Sequence, residues 1–481
     1  MEMRRVAGSE ALSEGVSEGV SETVSRRQFL VGVGCVAALS LVDGCGEESV
    51  TSSSATAGVP EALQPNMLNH FIVAGQSLSQ GLQGSPPLST VQPFNNKMFT
   101  YPVLPDYAAQ FVNYNALTKG YSGLAFRPLL NGPAPDKRGL PEETMANGFA
   151  DSLTSRYRLR DHTEKDFQQL LSCSGVEGAK YIQVAGPTDV GPDGSAPFQE
   201  MMSQVALGRS LAMAAGLGYN VPAMLLIHGE SDSGNGEYAI NLKTWQSDMQ
   251  KGVNAITGGK NIIPMIAAQT QYEPASAVRN GDDMPFVSGA GSLGTMLAAT
   301  DNPGLICVAC PEYMMEHVSI HMTANGYRHL GEMMAKAAYQ IVVEQIWWWP
   351  LMPLTTTRSG DVIKIEYRVP FEPLVLDTSW VTDPGNYGFH FLDKAGTEIT
   401  GVEVTGVAEI SIQLSQASAG GMLSYGLLPN AAGPVSPGFG LNSGPRGCVR
   451  DSDPTISYYK DTTTGKPYPL QNYSITWQAT V

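Results

Sequence analysis

The sequence predicts a parallel three-layer α/β domain followed by a smaller β-sandwich-like module. Three observations lead there. Short apolar runs at His70–Ala74, Ala179–Ala185, Val221–Ile227, Asn261–Ala268 and Gly304–Ala309 have strand length and are bounded by Gly, Pro or polar residues. Between them, Phe198–Leu217, Tyr238–Ala255, Val287–Ala299 and Thr323–Ile346 carry apolar residues three and four apart, the spacing of a helix that lays one stripe on a sheet. After Trp347-Trp348-Trp349-Pro350 the pattern changes to short alternating runs punctuated by Gly, Pro and Asp, as in an antiparallel sheet. Strands that alternate with helices give a parallel sheet covered on both faces. With 42% apolar residues, 52 Gly and 32 Pro, the 481-residue chain is a loop-rich globule with ample core.

Residues 1–45 read as an address rather than as part of the fold. Ser25-Arg26-Arg27-Gln28-Phe29-Leu30 leads an apolar run to Val42 of about 14 residues, short of the roughly 20 a spanning helix needs. A paired arginine before a modest apolar region resembles twin-arginine export signals, which move proteins already folded. Leu41-Val42-Asp43-Gly44-Cys45 resembles a lipoprotein processing site with Cys45 as the acylated residue, although Asp43 departs from the small or apolar residue usual there. A lipid at Cys45 is the one route to a membrane that the sequence offers, and the expected location is the periplasm or cell surface. Residues 46–66, rich in Ser, Thr, Ala and Pro, read as a flexible tether, with folded chain beginning near Asn69.

From there the α/β domain is expected over 67–350. Ser85–Gly178 is Pro- and Gly-rich with weak periodicity, so it is expected to fold over the carboxyl edge of the sheet, where open α/β sheets bind ligands. The β module occupies 351–481, with strands expected at Val362–Tyr367, Tyr387–Phe391, Val402–Val404, Glu409–Leu414, Leu423–Leu427 and Tyr473–Gln478. The polar segment from Gly444 to Pro454 is expected to fold back on the α/β domain. Lys and Arg total 29 against 45 Asp and Glu, so a cationic groove for nucleic acid is not expected. Six cysteines exclude a disulfide scaffold.

Three clusters carry potential chemistry. The first strand ends in Ala74-Gly75-Gln76-Ser77, placing a serine hydroxyl just past a strand at the ligand edge; the alternative for Ser77 is a helix cap. The Val221–Ile227 run ends in His228-Gly229-Glu230-Ser231-Asp232, polar groups that must satisfy one another at that same edge, or cap a helix. Ahead of the last long helix comes Glu316-His317-Val318-Ser319-Ile320-His321-Met322-Thr323, where a histidine can reach back over the edge as general base and then acid. His317 rivals His321, whereas His329 falls inside the helix as a surface or packing residue.

Gly75-Gln76-Ser77, Gly229-Glu230-Ser231-Asp232, and His321 followed by Thr323 and Gly326-Tyr327 resemble the first, third and fifth blocks of SGNH hydrolases, nearest the sialate O-acetylesterase-like carbohydrate esterases. The resemblance covers about residues 67–346. It implies a flavodoxin-like fold with no metal or cofactor, Ser77 attacking an ester carbonyl, His321 shuttling the proton, and an acyl-enzyme that water then hydrolyses. It further implies an oxyanion hole from the N–H groups of Ser77 and of a glycine after strand two, for which Gly186 is the first candidate and Gly194 the second. Gln76, Gly229 and Glu230 take supporting positions. Two positions depart from the family. His228 stands where a Gln usually donates to the oxyanion, and Val318 stands where the acid usually lies three residues before the histidine. Glu316, Asp232 or a backbone carbonyl are the open substitutes for that acid.

The implied reaction is removal of acyl groups, acetyl foremost, from an acylated glycan. Val318 and the added β module motivate the alternative of a catalytically weakened homologue that binds glycan or attaches to a surface; a lipase for longer acyl chains is a third reading. Cys307-Val308-Ala309-Cys310 has metal or redox spacing, but positions three apart on a strand face opposite sides, which favours buried thiols. Trp347–Trp349 are expected to close the α/β core against the β module, with stacking on sugar rings or a place at a lipid interface as the alternatives.

Overall fold

The computed structural model describes residues 60, 62–63, 66–100, 125–130, 142–161, 168–271, 277–278, 286–287, 290–428 and 438–481. The export segment and Cys45 lie outside the described residues, as does residues 46–66 apart from 60, 62, 63 and 66. Leu63 is buried and donates its N–H to Val342 O at 3.1 Å, so the packed chain starts ahead of Asn69.

The central strand is Met67–Gly75 (β1), and its alternation explains the layers. Phe71 and Val73 point into one core, Ile72 and Ala74 into the other, so the strand is apolar on both faces and must be covered twice. Around it stand Lys97–Thr100 (β2), Ala125–Pro128 (β3), Gln168–Cys173 (β4), Gly218–Asn220 (β5), Met224–Ile227 (β6) and Met265–Gln269 (β7). A short hairpin, Ala277–Val278 (β8) with Phe286–Val287 (β9), precedes the far edge strand Ile306–Pro311 (β10). The sheet runs β10-β7-β6-β1-β4-β2-β3, with β5 also beside β1, and its pairings are parallel except that of β2 with β3.

Among the described residues, six α-helices connect these strands: Met145–Asp161 (α1), Tyr181–Val184 (α2), Pro197–Ala214 (α3), Tyr238–Thr257 (α4), Ala290–Asp301 (α5) and Ala324–Val342 (α6). Side chains of α1 and α6, among them Phe149, Leu153, Leu330 and Met334, share a core with Phe71 and Val73. Phe198, Met201 and Val205 of α3 and Leu242 and Trp245 of α4 share the other with Ile72 and Ala74. Helices α1 and α6 cross backbone to backbone: a Cβ on Gly331 would come within 2.2 Å of Met145 O, a separation only glycine permits.

Two expectations are corrected. Ala179–Ala185 is not a strand but contains the one-turn helix α2, and the strand next to β1 on that side is β4. The described parts of Ser85–Gly178 are not a loop over the edge; they supply β2, β3, β4 and α1.

The C-terminal part is antiparallel. Met352–Ser359 (β11), Val362–Arg368 (β12), Glu409–Leu414 and Ile399–Val404 form a four-stranded sheet; Val375–Leu376 (β13) pairs with Val449–Arg450. Phe389–Leu392 (β14), Met422–Tyr425 and Trp477–Thr480 form a three-stranded sheet. In chain order the remaining strands are Ile399–Val404 (β15), Glu409–Leu414 (β16), Met422–Tyr425 (β17), Val449–Arg450 (β18), Ile456–Lys460 (β19), Pro467–Pro469 (β20) and Trp477–Thr480 (β21), with β19 pairing β20.

These sheets are fused to the α/β part rather than appended. Gln269 at the end of β7 accepts the Thr476 N–H at 2.7 Å and donates to Thr476 O at 3.0 Å, so one side chain completes a backbone pairing. Gln271 donates to Pro445 O at 2.8 Å, and buried Lys336 of α6 meets Asp453 at 2.6 Å, which brings the Gly444–Pro454 segment back onto the α/β part. Trp348 is buried and donates to Val308 O at 2.9 Å, while Trp349 lies under the Arg368 guanidinium. The tryptophans thus pack the junction.

Candidate functional site

The carboxyl ends of β1, β6, β7 and β10 meet at one edge, and each contributes a polar turn. At the end of β1, Gly75 adopts φ +143°, and a Cβ there would lie 1.9 Å from Ile227 O, so the strand can turn this tightly against β6 only with glycine. Gln76 then donates its N–H to Ile227 O at 3.1 Å, and Ser77–Gln80 wind into a single 3-10 turn closed by Gly81. The turn is held from inside, with Ser79 Oγ donating to Gln76 O at 2.6 Å and Gln76 Oε1 accepting the Ser231 N–H at 3.2 Å. Ser77, 6% exposed, therefore stands on a rigid base at the sheet edge.

The histidine arrives on the loop between β10 and α6. Val318 N–H donates to His321 O at 3.0 Å, which folds 318–321 into a tight turn with His321 at its exit. Two residues on, Thr323 caps α6 by accepting the Gly326 N–H at 3.1 Å, and Tyr327 OH donates to Leu82 O at 2.7 Å, tying the first turn of α6 to the chain after Ser77. The outcome is that His321 Nε2 lies 2.8 Å from Ser77 Oγ, across 244 positions of sequence. The other ring nitrogen, Nδ1, lies 3.2 Å from Oε1 of Gln83, which also accepts from Ser319 Oγ at 2.5 Å.

The structure brings Ser77 and His321 together but leaves other expected residues elsewhere. Glu316 does not bond the imidazole: its carboxylate accepts from Thr323 Oγ1 at 2.6 Å and its carbonyl from the Thr323 N–H at 3.0 Å, so it clasps the base of the loop. Asp232 is occupied too, accepting the Tyr181 N–H at 2.7 Å and Asn235 Nδ2 at 2.8 Å. His228 is buried with Nδ1 2.7 Å from Tyr238 OH and Nε2 3.2 Å from Ala179 O. Burial lowers its pKa to about 4, so the ring is neutral and has no donor left for an oxyanion. His317 stacks beside Phe439 with Nδ1 3.0 Å from Met315 O, and His329 is a buried packing residue on Tyr468, bonded to Pro469 O.

The glycine assignment also changes. Gly186 spends its N–H on Asp189 Oδ2 at 2.7 Å, and Gly194 donates to Gly191 O at 2.9 Å in a turn. Gly175, just past β4, is the glycine that lies against the Ser77 turn: a Cβ there would fall 1.9 Å from Ser79 Oγ. The next residue, Val176, donates to Gly75 O at 3.1 Å. Among the described residues the Gly175 N–H meets only the Cys173 sulfur, at 3.3 Å, and no acceptor takes the Ser77 N–H.

Beneath this edge lies a pair of buried carboxyl groups. Glu230, after β6, and Glu312, after β10, are buried beside each other, with Thr270 after β7 alongside. Burial and repulsion from Glu230 hold the Glu312 carboxyl well above the carboxylate range. Gly229, at φ +144°, turns the chain over Thr270. Cys307 and Cys310 are free buried thiols; a bulge between Val308 and Cys310 turns both into the same core instead of opposite faces, and burial pushes both thiols up. Among the described residues no cluster of three metal-ligating side chains occurs.

In sequence the chain matches no protein-family model and no curated protein. In structure it is similar to a carbohydrate acetylesterase from Xanthomonas citri, with a TM-score of 0.50 and 11% identity over 85% of this chain and 80% of that one. Lower similarities include NanS, at TM-score 0.33 and 13% identity over 58% of this chain and 98% of that one. Another is Est24, a carbohydrate acetylesterase from Sinorhizobium meliloti, at TM-score 0.27 and 11% identity over 56% and 97%. The likeness to the Xanthomonas protein establishes a shared fold: a mixed α/β architecture with a parallel-rich central sheet and added antiparallel sheets at the C-terminus.

Proposed function

We propose that the chain is a serine ester hydrolase that removes acyl groups, acetyl foremost, from carbohydrate, and that it is an SGNH hydrolase of the sialate O-acetylesterase-like kind. The observation that carries the reading is the 2.8 Å approach of His321 Nε2 to Ser77 Oγ. The fold shared with a carbohydrate acetylesterase supports the substrate class.

The proposed reaction runs in two halves. His321 Nε2 accepts the Ser77 proton as Oγ attacks the ester carbonyl, and the resulting oxyanion is taken up by the N–H groups of Ser77 and Gly175. Single donors of this kind are commonly worth about 3 kcal/mol of barrier. Collapse expels the sugar hydroxyl, which leaves with the proton from His321, and water activated by the same nitrogen releases the acid from Ser77. Gln76, Gly229 and Glu230 shape the turns that present these groups.

A second reading, a weakened homologue that holds glycan without cleaving it, draws on the solvent-exposed Val318 at the position of the missing acid. Turnover of p-nitrophenyl acetate separates the two: release of p-nitrophenol that vanishes in Ser77→Ala supports the hydrolase, and identical background in both chains supports the binder. A series of longer acyl esters then tests the lipase alternative. Export and acylation at Cys45 complete the proposal, and membrane fractionation of cells expressing Cys45→Ser tests them.

A further inference from the structure

We infer that Gln83 is the residue that orients the imidazole of His321, its side-chain amide standing where serine esterases ordinarily use a carboxylate. This rests on the serine-hydrolase reading above. The geometry begins with the backbone. Gln83 adopts φ +67°, uncommon outside glycine, and is pinned on every side. Its own N–H donates to Glu142 Oε1 at 2.7 Å, the preceding carbonyl of Leu82 accepts from Tyr327 OH, and the following carbonyl of Gly84 accepts from Glu143 N–H at 2.6 Å. A side chain launched from such a site has little freedom, and this one ends at the imidazole.

The orientation of the amide sets which end faces the ring. Ser319 Oγ donates its hydroxyl proton to Gln83 Oε1 at 2.5 Å, so the amide oxygen is the end turned to this loop. The same oxygen lies 3.2 Å from Nδ1, so Nδ1 carries its proton and donates it. Nε2 is then left with its lone pair toward Ser77 Oγ at 2.8 Å, the tautomer a general base needs. An amide in the opposite orientation would put the proton on Nε2 and disarm the base.

An amide oxygen orients the ring as a carboxylate does but brings no full negative charge to the imidazolium that forms during attack. Gln83 is thus a positioning residue that trades some transition-state stabilisation for a neutral contact. Among the described residues the Glu142 carboxylate stands beside it, engaged with the Gln83 N–H, and the His317 ring is near enough to interact electrostatically with His321. Placing a carboxylate at 83 stabilises the imidazolium and raises its pKa.

The test uses the full-length chain with p-nitrophenyl acetate, in the wild type, Gln83→Leu, Gln83→Glu and Ser77→Ala, together with nitrogen NMR of the histidine rings. The expected result is that Gln83→Leu lowers kcat about 10-fold or more with KM within about 2-fold. Gln83→Glu restores kcat to at least the wild-type level and moves the acid limb of the pH profile upward. NMR of the wild type shows the His321 proton on Nδ1, and Gln83→Leu loses that preference. The inference is overturned alone if Ser77→Ala is silent yet Gln83→Leu leaves both kcat and tautomer unchanged, if Gln83→Glu is no faster than Gln83→Leu, or if the wild-type proton sits on Nε2. Wild-type turnover persisting in Ser77→Ala overturns the serine-hydrolase reading and this inference with it. Because the tautomer is read on the unaltered protein, a variant that fails to fold still leaves the inference open to refutation.

Discussion

Gly75 shows how much of this site depends on an atom that is absent. A methyl group there meets Ile227 O at 1.9 Å while the backbone holds φ +143°, so either the β1–β6 pairing or the Ser77 turn must move. Gly75→Ala is expected to cost about 2 kcal/mol or more of stability and to lower kcat more steeply than the stability loss explains. Thermal melts run beside p-nitrophenyl acetate kinetics check it; a variant with wild-type melting and turnover would contradict the account. Ser77 and His321 were legible in the sequence because each sits at a punctuation point, one just past an apolar run and one just before a helical stripe. Gln83 was not. Its contact with His321 spans 238 positions and is made by a flexible polar side chain in a Gly-rich turn, and no periodicity records such a meeting.

At the scale of elements, the misreading of β4 shows where hydropathy stops helping. Gln168 and Gln169 open the strand, and Gln169 is fully buried because its amide donates to Asn96, Ala150 O and Thr154. A polar residue bonded through its amide nitrogen inside a core looks like loop in one dimension, so hydropathy points instead to the apolar run Ala179–Ala185 and to Gly186. The start of α6 gives the element-scale prediction. Thr323 both caps the helix and donates to Glu316, closing the loop that carries His321. Thr323→Ala is expected to lose about 1–2 kcal/mol and part of the activity, because the imidazole is placed from the same loop. Urea midpoints and kcat measured on the same preparation decide it, and an unchanged midpoint would count against the clasp.

Across the whole molecule, the core around Phe71 and Val73 continues into Ile363, Tyr425 and Trp477 of the C-terminal sheets. The sequence pattern marked the change from α/β to antiparallel structure at Trp347–Pro350, yet alternation within strands says nothing about how two regions share a core. At their junction, α6 carries Glu332, whose carboxylate accepts the Tyr459 N–H at 2.8 Å; burial raises its pKa to about 7 from an ordinary 4.5. The folded state therefore holds this proton more tightly than the unfolded state, so Glu332 loses stability as pH rises from about 4.5 to 7. Buried histidines such as His70, lowered to about 3, act oppositely, losing stability as pH falls below 6.5. The difference between Glu332→Gln and the wild type isolates the carboxyl: the variant should gain relative stability across pH 4.5 to 7, on the order of 3 kcal/mol, then level off. Paired melts at several pH values test this, and a constant difference would show that Glu332 does not titrate there.

In the proposed hydrolase, Ser77 Oγ is the atom that bonds the acyl group. Incubating the full-length chain with a fluorophosphonate and mapping the modified peptide by mass spectrometry reads this directly. Label confined to Ser77, formed quickly in the wild type and slowly in His321→Ala, is the predicted result. A wild-type chain that stays unlabelled, or carries the label on another residue with Ser77 unmodified, would contradict it.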